Sequence, residues 1–428
     1  MSKYIFITQV YPSDPAAVGQ YFEDAAIRMG ERAHDIIVYT ADRDYDNPSI
    51  KYDATSRHPN VRIVRMPYSS FGKRTILHRL LGQVSFLLQV LVRLLFCSRP
   101  DGVVLTTIPA TTGVFFLVAQ FFRRFRYLYW VMDINPDQAV ALGVFSRNSL
   151  PAKMLSWVNR HLVHGARRVV CLDSDMTRRL GDPKNVAIIP PWPLEGDLEI
   201  VSDVENPFIA EHDLEGKFVF MYSGNHSLVH PLTTLLDGIE RMNRSDDCVF
   251  AFIGGGRGKA EVDARIEKLA VEHCSLKGGQ KTPATSNQQP TTNNIISLPY
   301  QPLERIKYSL SAADVQVVSF GDEMRGIVHP CKFYAALAMG QPILLLGSKD
   351  SALGAIVMAE GIGWCVAHGD TEEMARLLES IVALPKDELI AMGARAKKLA
   401  IKRYSREHLC GEFCDVLEHA FSSSDEAS

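Results

Sequence analysis

Residues 313–347, ADVQVVSFGDEMRGIVHPCKFYAALAMGQPILLLG, hold a complete structural unit. An apolar run ends in a polar, glycine-containing loop, a stretch with small residues at Ala335, Ala336, Ala338 and Gly340 follows, and Gln341-Pro342 opens a second apolar run. Two short, continuously apolar runs joined by a helix predict buried parallel strands with a right-handed crossover. The same alternation runs along the whole chain. Strands are expected at 4–8, 35–40, 61–66, 103–107, 127–133, 168–172 and 186–190, then at 218–223, 249–254, 295–298, 315–320, 342–346 and 364–367. The fold class is therefore α/β, with two doubly wound parallel sheets. Four prolines and a run of acids mark residues 190–207 as a linker. The expected domains are 1–195 and 196–405, followed by a helix and tail at 406–428.

Composition narrows the function classes. The 428 residues are 46% hydrophobic and 22% charged, which fits a globular protein, and 46 Lys plus Arg against 49 Asp plus Glu gives no case for a nucleic-acid binder. Eight scattered cysteines without a CxxC pair support neither a disulfide framework nor a zinc site. Met1 leads straight into YIFIT with no export signal, so a reducing cytoplasm is expected. The polar stretch 276–294 reads as a loop insertion and the tail SSSDEAS as frayed.

One helix stands out. Leu77, Leu80, Leu81, Val84, Leu88, Leu91 and Leu95 recur at helical spacing and predict one broad apolar face, while Arg79 and Arg93 argue against a membrane span. Between Asp53 and Asp133 the chain has eleven Lys or Arg and a single acid, Asp101. Two readings stay open: a sheet-packed helix with a solvated basic rim, or a surface for anionic lipid.

Chemistry is expected at the carboxyl ends of the strands. Gly224 begins a turn after one strand, GNHSLVHPLTTLLDGI, and Gly254, Gly255 and Gly256 begin another, GGGRGKAEVDARI. Each is expected to enter a helix directly and offer backbone N–H groups to phosphate, although tight turns use glycine anyway. The GxGxxG and GxxxxGK[ST] spacings are absent, which disfavours a nicotinamide Rossmann domain and a P-loop ATPase. In the first domain Asp133 and Asp173 are strand-end carboxylates able to accept a proton. Asp173 precedes a Ser-x-Met helix start and reads as a cap; a cap role for Asp133 is the alternative to an acceptor-side base.

Residues 313–347 resemble the donor-binding element of family 4 retaining glycosyltransferases, which often read PSK followed by AxGxPV there. YPSDPAAVGQYFEDAAIRM resembles the family's N-terminal glycine loop, VVCLDSDMTRRL its S-x-x-M turn, IIPPW its linker entry, and ISLPYQPLERIKYSLSAADV its Y-x-P-x-E segment. With GN-x-S-x-x-H after Phe218–Ser223 and MDINPD at 132–137, the chain looks most like bacterial enzymes of surface-polysaccharide synthesis. The resemblance covers nearly all of residues 4–405. It implies a GT-B fold, two Rossmann-like domains facing a cleft, with the C-terminal helix packing back on the first.

For the site, the resemblance implies Lys332 as the cation on the leaving diphosphate, with an ordinary surface lysine as the alternative. Gly224, Asn225, His230, Gly255 and Gly256 would line the diphosphate, Pro299 and Tyr300 the base, and Gly326, Ile327, Val328 and Pro330 the sugar, with Arg325 a donor-side loop residue that the resemblance assigns to no one group. Gly19, Gln20 and Asp133 would face the acceptor. The chain departs from the family at three places. Ile327 and Ala335 stand where two glutamates are common, Asn225 and His230 stand for an Arg and a Lys, and Pro191 replaces the linker Asn. The implied activity is metal-independent retaining transfer from a nucleotide-diphosphate sugar, UDP-sugar favoured, with no cofactor. The implied setting is the inner face of the cytoplasmic membrane, with a lipid-linked or glycan acceptor and an anionic membrane surface as partners. The missing carboxylates keep one rival open, a GT-B module that binds nucleotide sugar or a partner enzyme without turnover; a GT-B nucleotide-sugar epimerase is a third reading, disfavoured because the resemblance lies with transferases.

Overall fold

The computed structural model describes residues 1–14, 16–44, 47–72, 75–194, 200–242, 248–276, 291–292 and 294–422. The remainder of the polar stretch, namely residues 277–290 and 293, lies outside the described residues, as do linker residues 195–199 and tail residues 423–428. The chain divides into unit 1, Met1–Leu194 with Gly326–His329 and Arg406–Ser428, and unit 2, Glu195–Arg325 with Pro330–Ser405.

Unit 1 is built on β1 (Lys3–Ile7), β2 (Asp35–Ala41), β3 (Val61–Met66), β4 (Gly102–Thr106), β5 (Tyr127–Trp130), β6 (Arg168–Cys171) and β7 (Val186–Ile188). They form one sheet in the order β3-β2-β1-β4-β5-β6-β7, and every pairing is parallel. This is the doubly wound order, with its switch point between β1 and β4. Both sheet faces are covered, which is why the strands read as unbroken apolar runs: β4 and β5 are buried at every position.

Unit 2 repeats the plan with β8 (Phe218–Ser223), β9 (Cys248–Ile253), β10 (Thr291–Thr292), β11 (Ile295–Leu298), β12 (Val315–Ser319), β13 (Ile343–Leu346) and β14 (Gly363–Val366). The order is β10-β11-β9-β8-β12-β13-β14. All pairings are parallel except that of β10, a two-residue antiparallel edge strand inside the stretch expected to be loop. Alternate residues serve opposite faces, so Phe220 and Tyr222 enter one core cluster and Val219 and Met221 the other.

Every expected strand is present, most with ends displaced by one or two residues. The exception is 127–133, which leaves the sheet after Trp130. Met132 and Asp133 donate their backbone N–H groups to the Thr107 hydroxyl at 3.3 and 3.2 Å, and Ile134 donates to the Ile327 carbonyl at 2.9 Å. A side-chain acceptor and a remote carbonyl thus take over from the strand ladder. That last bond belongs to the packing of Gly326–His329 within unit 1, although the whole of 196–405 was expected in the second domain.

The helix Arg406–Phe421 packs in unit 1. Phe413 stacks on Trp130 with ring centroids 4.0 Å apart, Arg32 pairs with Asp415 and Glu418 at 2.7 Å, and Arg406 pairs with Asp24.

The helix Ile76–Phe96 turns most of the predicted apolar face outward. Phe86, Leu87, Val90 and Leu94 are buried, whereas Leu77, Leu80, Leu81, Val84 and Leu88 are exposed. On the buried side Gly82 lies close against the neighbouring backbone: a Cβ there would lie 3.1 Å from Ser70 Cα. The outward face runs on to Phe121 (78% exposed) and Phe122 (66%), at the end of the packed helix Thr112–Arg123.

Candidate functional site

In unit 2 the strands part at the switch point. β8 and β12 pair only through Val315–Phe220 and Gln316–Met221, so their carboxyl ends diverge and the loops that follow line the opening. The loop after β8 does not enter a helix directly, contrary to expectation. The helix Thr233–Arg241 starts nine residues after Gly224, and two of the loop's amides are already committed: His226 N–H donates to the Gly255 carbonyl of the other turn at 2.7 Å and His230 N–H to the Ser227 carbonyl at 2.9 Å. The two glycine turns pack backbone against backbone. A Cβ on Gly254, where φ is +126°, would sit 2.0 Å from the Gly224 carbonyl oxygen. Such contacts leave no room for any other residue.

Lys332 opens the helix Lys332–Met339 and reaches back to this turn. Its Nζ lies 3.6 Å from the centre of the Tyr222 ring, and a Cβ on Gly224 would be 3.6 Å from it. The ammonium is shielded from solvent and has no hydrogen-bond partner. Burial therefore pushes the Lys332 amine down to about 7. Two imidazoles accompany it. Burial, with Lys332 adding repulsion, holds His230 down to about 3, and burial with Lys259 and then Lys332 does the same to His226. His226 Nε2 and His230 Nδ1 are buried and unpartnered. Tyr222 meets the His226 ring edge-on, 4.7 Å between centroids.

The other expected donor residues divide. Gly224, Gly255 and Gly256 form the turns, and exposed Asn225 has its Oδ1 where a Gly256 side chain would be. Tyr300 lies against Gly255, donating its hydroxyl to the Gly255 carbonyl at 3.2 Å, and is 58% exposed beside exposed Pro299. Pro330 is buried at the approach to Lys332. Arg325 does not join this group. It donates to the Asp350 carbonyl and lines a different cavity, about 580 Å³, with Lys349 and the acids Asp322, Asp350, Asp370 and Glu373. Gly326, Ile327 and Val328 pack in unit 1; the Ile327 side chain is fully buried, so what it offers is backbone.

In unit 1, Asp133 follows β5 and is partly buried. No hydrogen bond reaches its carboxylate among the described residues, and burial pushes it up to about 6. It caps no helix, because Asp137–Ala141 starts after Pro136 without a side-chain cap. Asp173 is its opposite. It caps Ser174–Arg179 by accepting from Met176 N–H at 2.6 Å and accepts from His329 Nδ1 at 2.6 Å. Burial alone would raise it, but these bonds outweigh burial and lower it. Gly19 lies in the first turn of Ala17–Glu31, where a Cβ would press on the Tyr11 backbone at 3.0 Å; Gln20 follows it, half-buried.

Sequence reasoning passed over His226, Tyr222 and His329. His226 was within reach of it, being the neighbour of Asn225 in the same glycine turn. Among the described residues no group of three His, Cys, Asp or Glu side chains could hold a metal ion.

Comparison with known proteins puts this geometry in context. The chain is 26% identical over 358 residues, 82% of its length and 83% of the relative's, to the probable glycosyltransferase WbjE of Pseudomonas aeruginosa. Its likeness is to sugar-transferring enzymes. Sucrose-phosphate synthase from Thermosynechococcus elongatus superposes with a TM-score of 0.73 at 16% identity, covering 99% of this chain and 100% of that one. HepE of Anabaena in complex with UDP superposes with a TM-score of 0.64 at 12% identity, covering 97% and 100%. These structures share the fold of two Rossmann-like domains with this chain. No protein-family model matches it.

Proposed function

We propose that the chain is a metal-independent retaining glycosyltransferase of family 4 type that takes its sugar from a nucleotide-diphosphate donor. The observation that carries this reading is Lys332, a solvent-shielded ammonium with no partner, seated on Tyr222 between two strand-end loops. A buried cation without a counter-ion is costly unless an anion arrives. The similarity to WbjE and to UDP-bound HepE supports a nucleotide diphosphate as that anion, with UDP favoured. In the reaction the bond from the anomeric carbon to the diphosphate oxygen breaks, and the electron pair leaves with the diphosphate. Lys332 stabilises the charge that develops there. The acceptor hydroxyl oxygen bonds the anomeric carbon and gives its proton to the Asp133 carboxylate. Tyr300, held against Gly255 by its hydroxyl and 58% exposed, offers a stacking surface for the base.

The acceptor we propose is lipid-linked, in glycan synthesis at the cytoplasmic membrane face. The outward apolar face of Leu77–Phe96, continued by Phe121 and Phe122, supports this, with exposed Arg79, Arg93, Arg99 and Arg124 nearby in sequence. The helix is long and apolar enough to cross a bilayer, yet it packs Phe86, Leu87, Val90 and Leu94 into unit 1, which suits a surface-bound role.

The test is incubation of the purified protein with UDP-, GDP- and dTDP-sugars, with and without EDTA. Slow donor hydrolysis unaffected by EDTA is the expected result. Saturable binding without hydrolysis or transfer would instead favour a non-catalytic binding module, the reading that buried Ile327 at the glutamate position supports. Interconversion of sugars would make it an epimerase.

A further inference from the structure

The buried nitrogens of unit 2 are not equivalent as anion ligands. Lys332 Nζ carries hydrogens to donate. The imidazoles do not, on the sides they leave unpartnered. His226 Nδ1 lies 3.1 Å from the Gly224 carbonyl oxygen, so its single hydrogen is committed there and Nε2 presents a bare lone pair. His230 is hydrogen-bonded to the Ser319 backbone, which likewise leaves Nδ1 bare. A lone pair repels a phosphate oxygen. The diphosphate of a nucleotide sugar is a diester that is fully ionised near neutral pH and has no proton to bring.

We propose that Lys332, His226 and His230 form one anion-binding cradle whose imidazoles gain protons as the donor diphosphate binds, so that donor binding is coupled to proton uptake. This rests on the reading of unit 2 as the donor site. The two imidazoles border a common cavity of about 60 Å³ that Thr233, Gly258 and Glu261 also line, and both feel the charge of Lys332. The groups around them are known. Tyr222 from β8 carries the lysine on its face. Lys259, whose Nζ donates to the Phe252 and Leu298 carbonyls, lies beyond His226. Glu261 lines the cavity wall and accepts from the Thr233 hydroxyl, and Cys331 precedes Lys332. Before an anion binds, burial holds both imidazoles neutral, with Lys332 adding repulsion at each and Lys259 adding it at His226. A diphosphate reverses that balance: its negative charge outweighs the lysine's, each imidazole becomes a two-fold donor, and each now bridges backbone carbonyl and phosphate oxygen.

The proton count separates the parts. Lys332, held down to about 7, is already mostly ammonium at pH 6 and adds little to the uptake there, and the histidine variants separate the imidazoles from Asp133, which is pushed up to about 6. Calorimetric titration with UDP-glucose, dTDP-glucose and GDP-mannose, in phosphate-free buffers of different ionisation enthalpy, reads the uptake directly. For whichever probe binds, we expect uptake of about one proton or more at pH 6, with further uptake at pH 8 as Lys332 recharges. His226→Gln offers an amide hydrogen at the same place without needing a proton. It should keep affinity within about tenfold of wild type while lowering the pH 6 uptake by up to about one proton. Binding with heats independent of buffer, or uptake unchanged in both His226→Gln and His230→Asn, overturns the cradle and leaves the donor-site reading standing. Failure of all three probes to bind removes the donor-site reading itself. The wild-type measurement needs no variant to fold.

Discussion

The two units share a strand order and bury opposite charges at their strand ends. Unit 1 holds an unpaired carboxylate, Asp133, pushed up to about 6, and unit 2 an unpaired ammonium, Lys332, pushed down to about 7. The cause is the same in both: loss of water without gain of a counter-ion penalises the charged form. Asp173, on the strand next to that of Asp133, shows what a partner does, since His329 and two backbone N–H groups keep it ionised despite burial. Burial with a partner builds structure; burial without one leaves a group able to exchange protons near neutral pH, as group transfer requires.

Lys332 carries the largest expected effect. Lys332→Ala should lower turnover by about 10² to 10³, equivalent to about 2.7 to 4 kcal/mol, the usual effect of removing one stabiliser of leaving-group charge. Steady-state transfer or donor hydrolysis measures it. A wild-type rate would show that the shielded ammonium plays no part in the reaction.

Asp133→Asn comes next, with transfer reduced by about 10² and donor affinity unchanged. The pH profile adds detail. kcat/KM should rise through about pH 6 as Asp133 ionises and fall above about pH 7 as the unliganded Lys332 loses its proton. The variant should lose the acid limb and keep the alkaline one. A raised carboxylate destabilises the fold once it ionises, so Asp133→Asn should melt no lower than wild type, and higher above pH 6. If it unfolds or abolishes donor binding, Asp133 is structural.

Much of this was legible in the sequence, for identifiable reasons. Strands buried on both faces are unbroken apolar runs, so their positions could be read directly. The end of β5 could not, because Val131, Met132 and Ile134 are as apolar as the strand and the change of partner lies in the Thr107 hydroxyl. The inward face of Ile76–Phe96 was illegible for a related reason: apolar residues occupy both sides, and tertiary contacts such as the close approach of Gly82 to Ser70 lie outside the local pattern. Lys332 was legible by motif, but its surroundings, Tyr222 and the Gly224 turn, lie about a hundred residues earlier in the chain, which no local pattern encodes.

A smaller effect sharpens the contrast between the two aspartates. Asp173→Ala removes a helix cap, worth about 0.5 to 2 kcal/mol, and takes the acceptor from His329. The melting temperature should drop by several degrees, where Asp133→Asn gives no drop. The sign with pH is also opposite. Because Asp173 is lowered in the fold, its contribution is present above the ordinary carboxylate range and lost as pH falls through its own value, so wild type and Asp173→Ala should converge in stability in acid.

The surfaces of the units differ as much as their strand ends, and here the expected effects per residue are smallest. Among the described residues, no helix of unit 2 carries more than two exposed large apolar side chains, whereas Leu77–Phe96 alone exposes Leu77, Leu80, Leu81, Val84, Leu88 and Val92. Unit 1 should therefore carry the membrane contact, with two separable parts. The apolar part is insensitive to salt. The cationic part is screened beyond about 10 Å at 0.1 M salt and contributes about 1 kcal/mol for each Arg near an anionic surface. Arg79 and Arg93 are exposed, while Arg123 donates to the Leu95 and Cys97 carbonyls at the end of that helix and has less freedom to reach lipid. In flotation with anionic vesicles at low salt, Arg79→Gln and Arg93→Gln should each weaken partition by about fivefold. Arg123→Gln, which removes those two carbonyl bonds as well, should also lower the melting temperature. Equal flotation with neutral and anionic vesicles would leave only the apolar part. No flotation with either would return the exposed face of Leu77–Phe96 to contact with a protein and remove lipid as the distinguishing partner of unit 1.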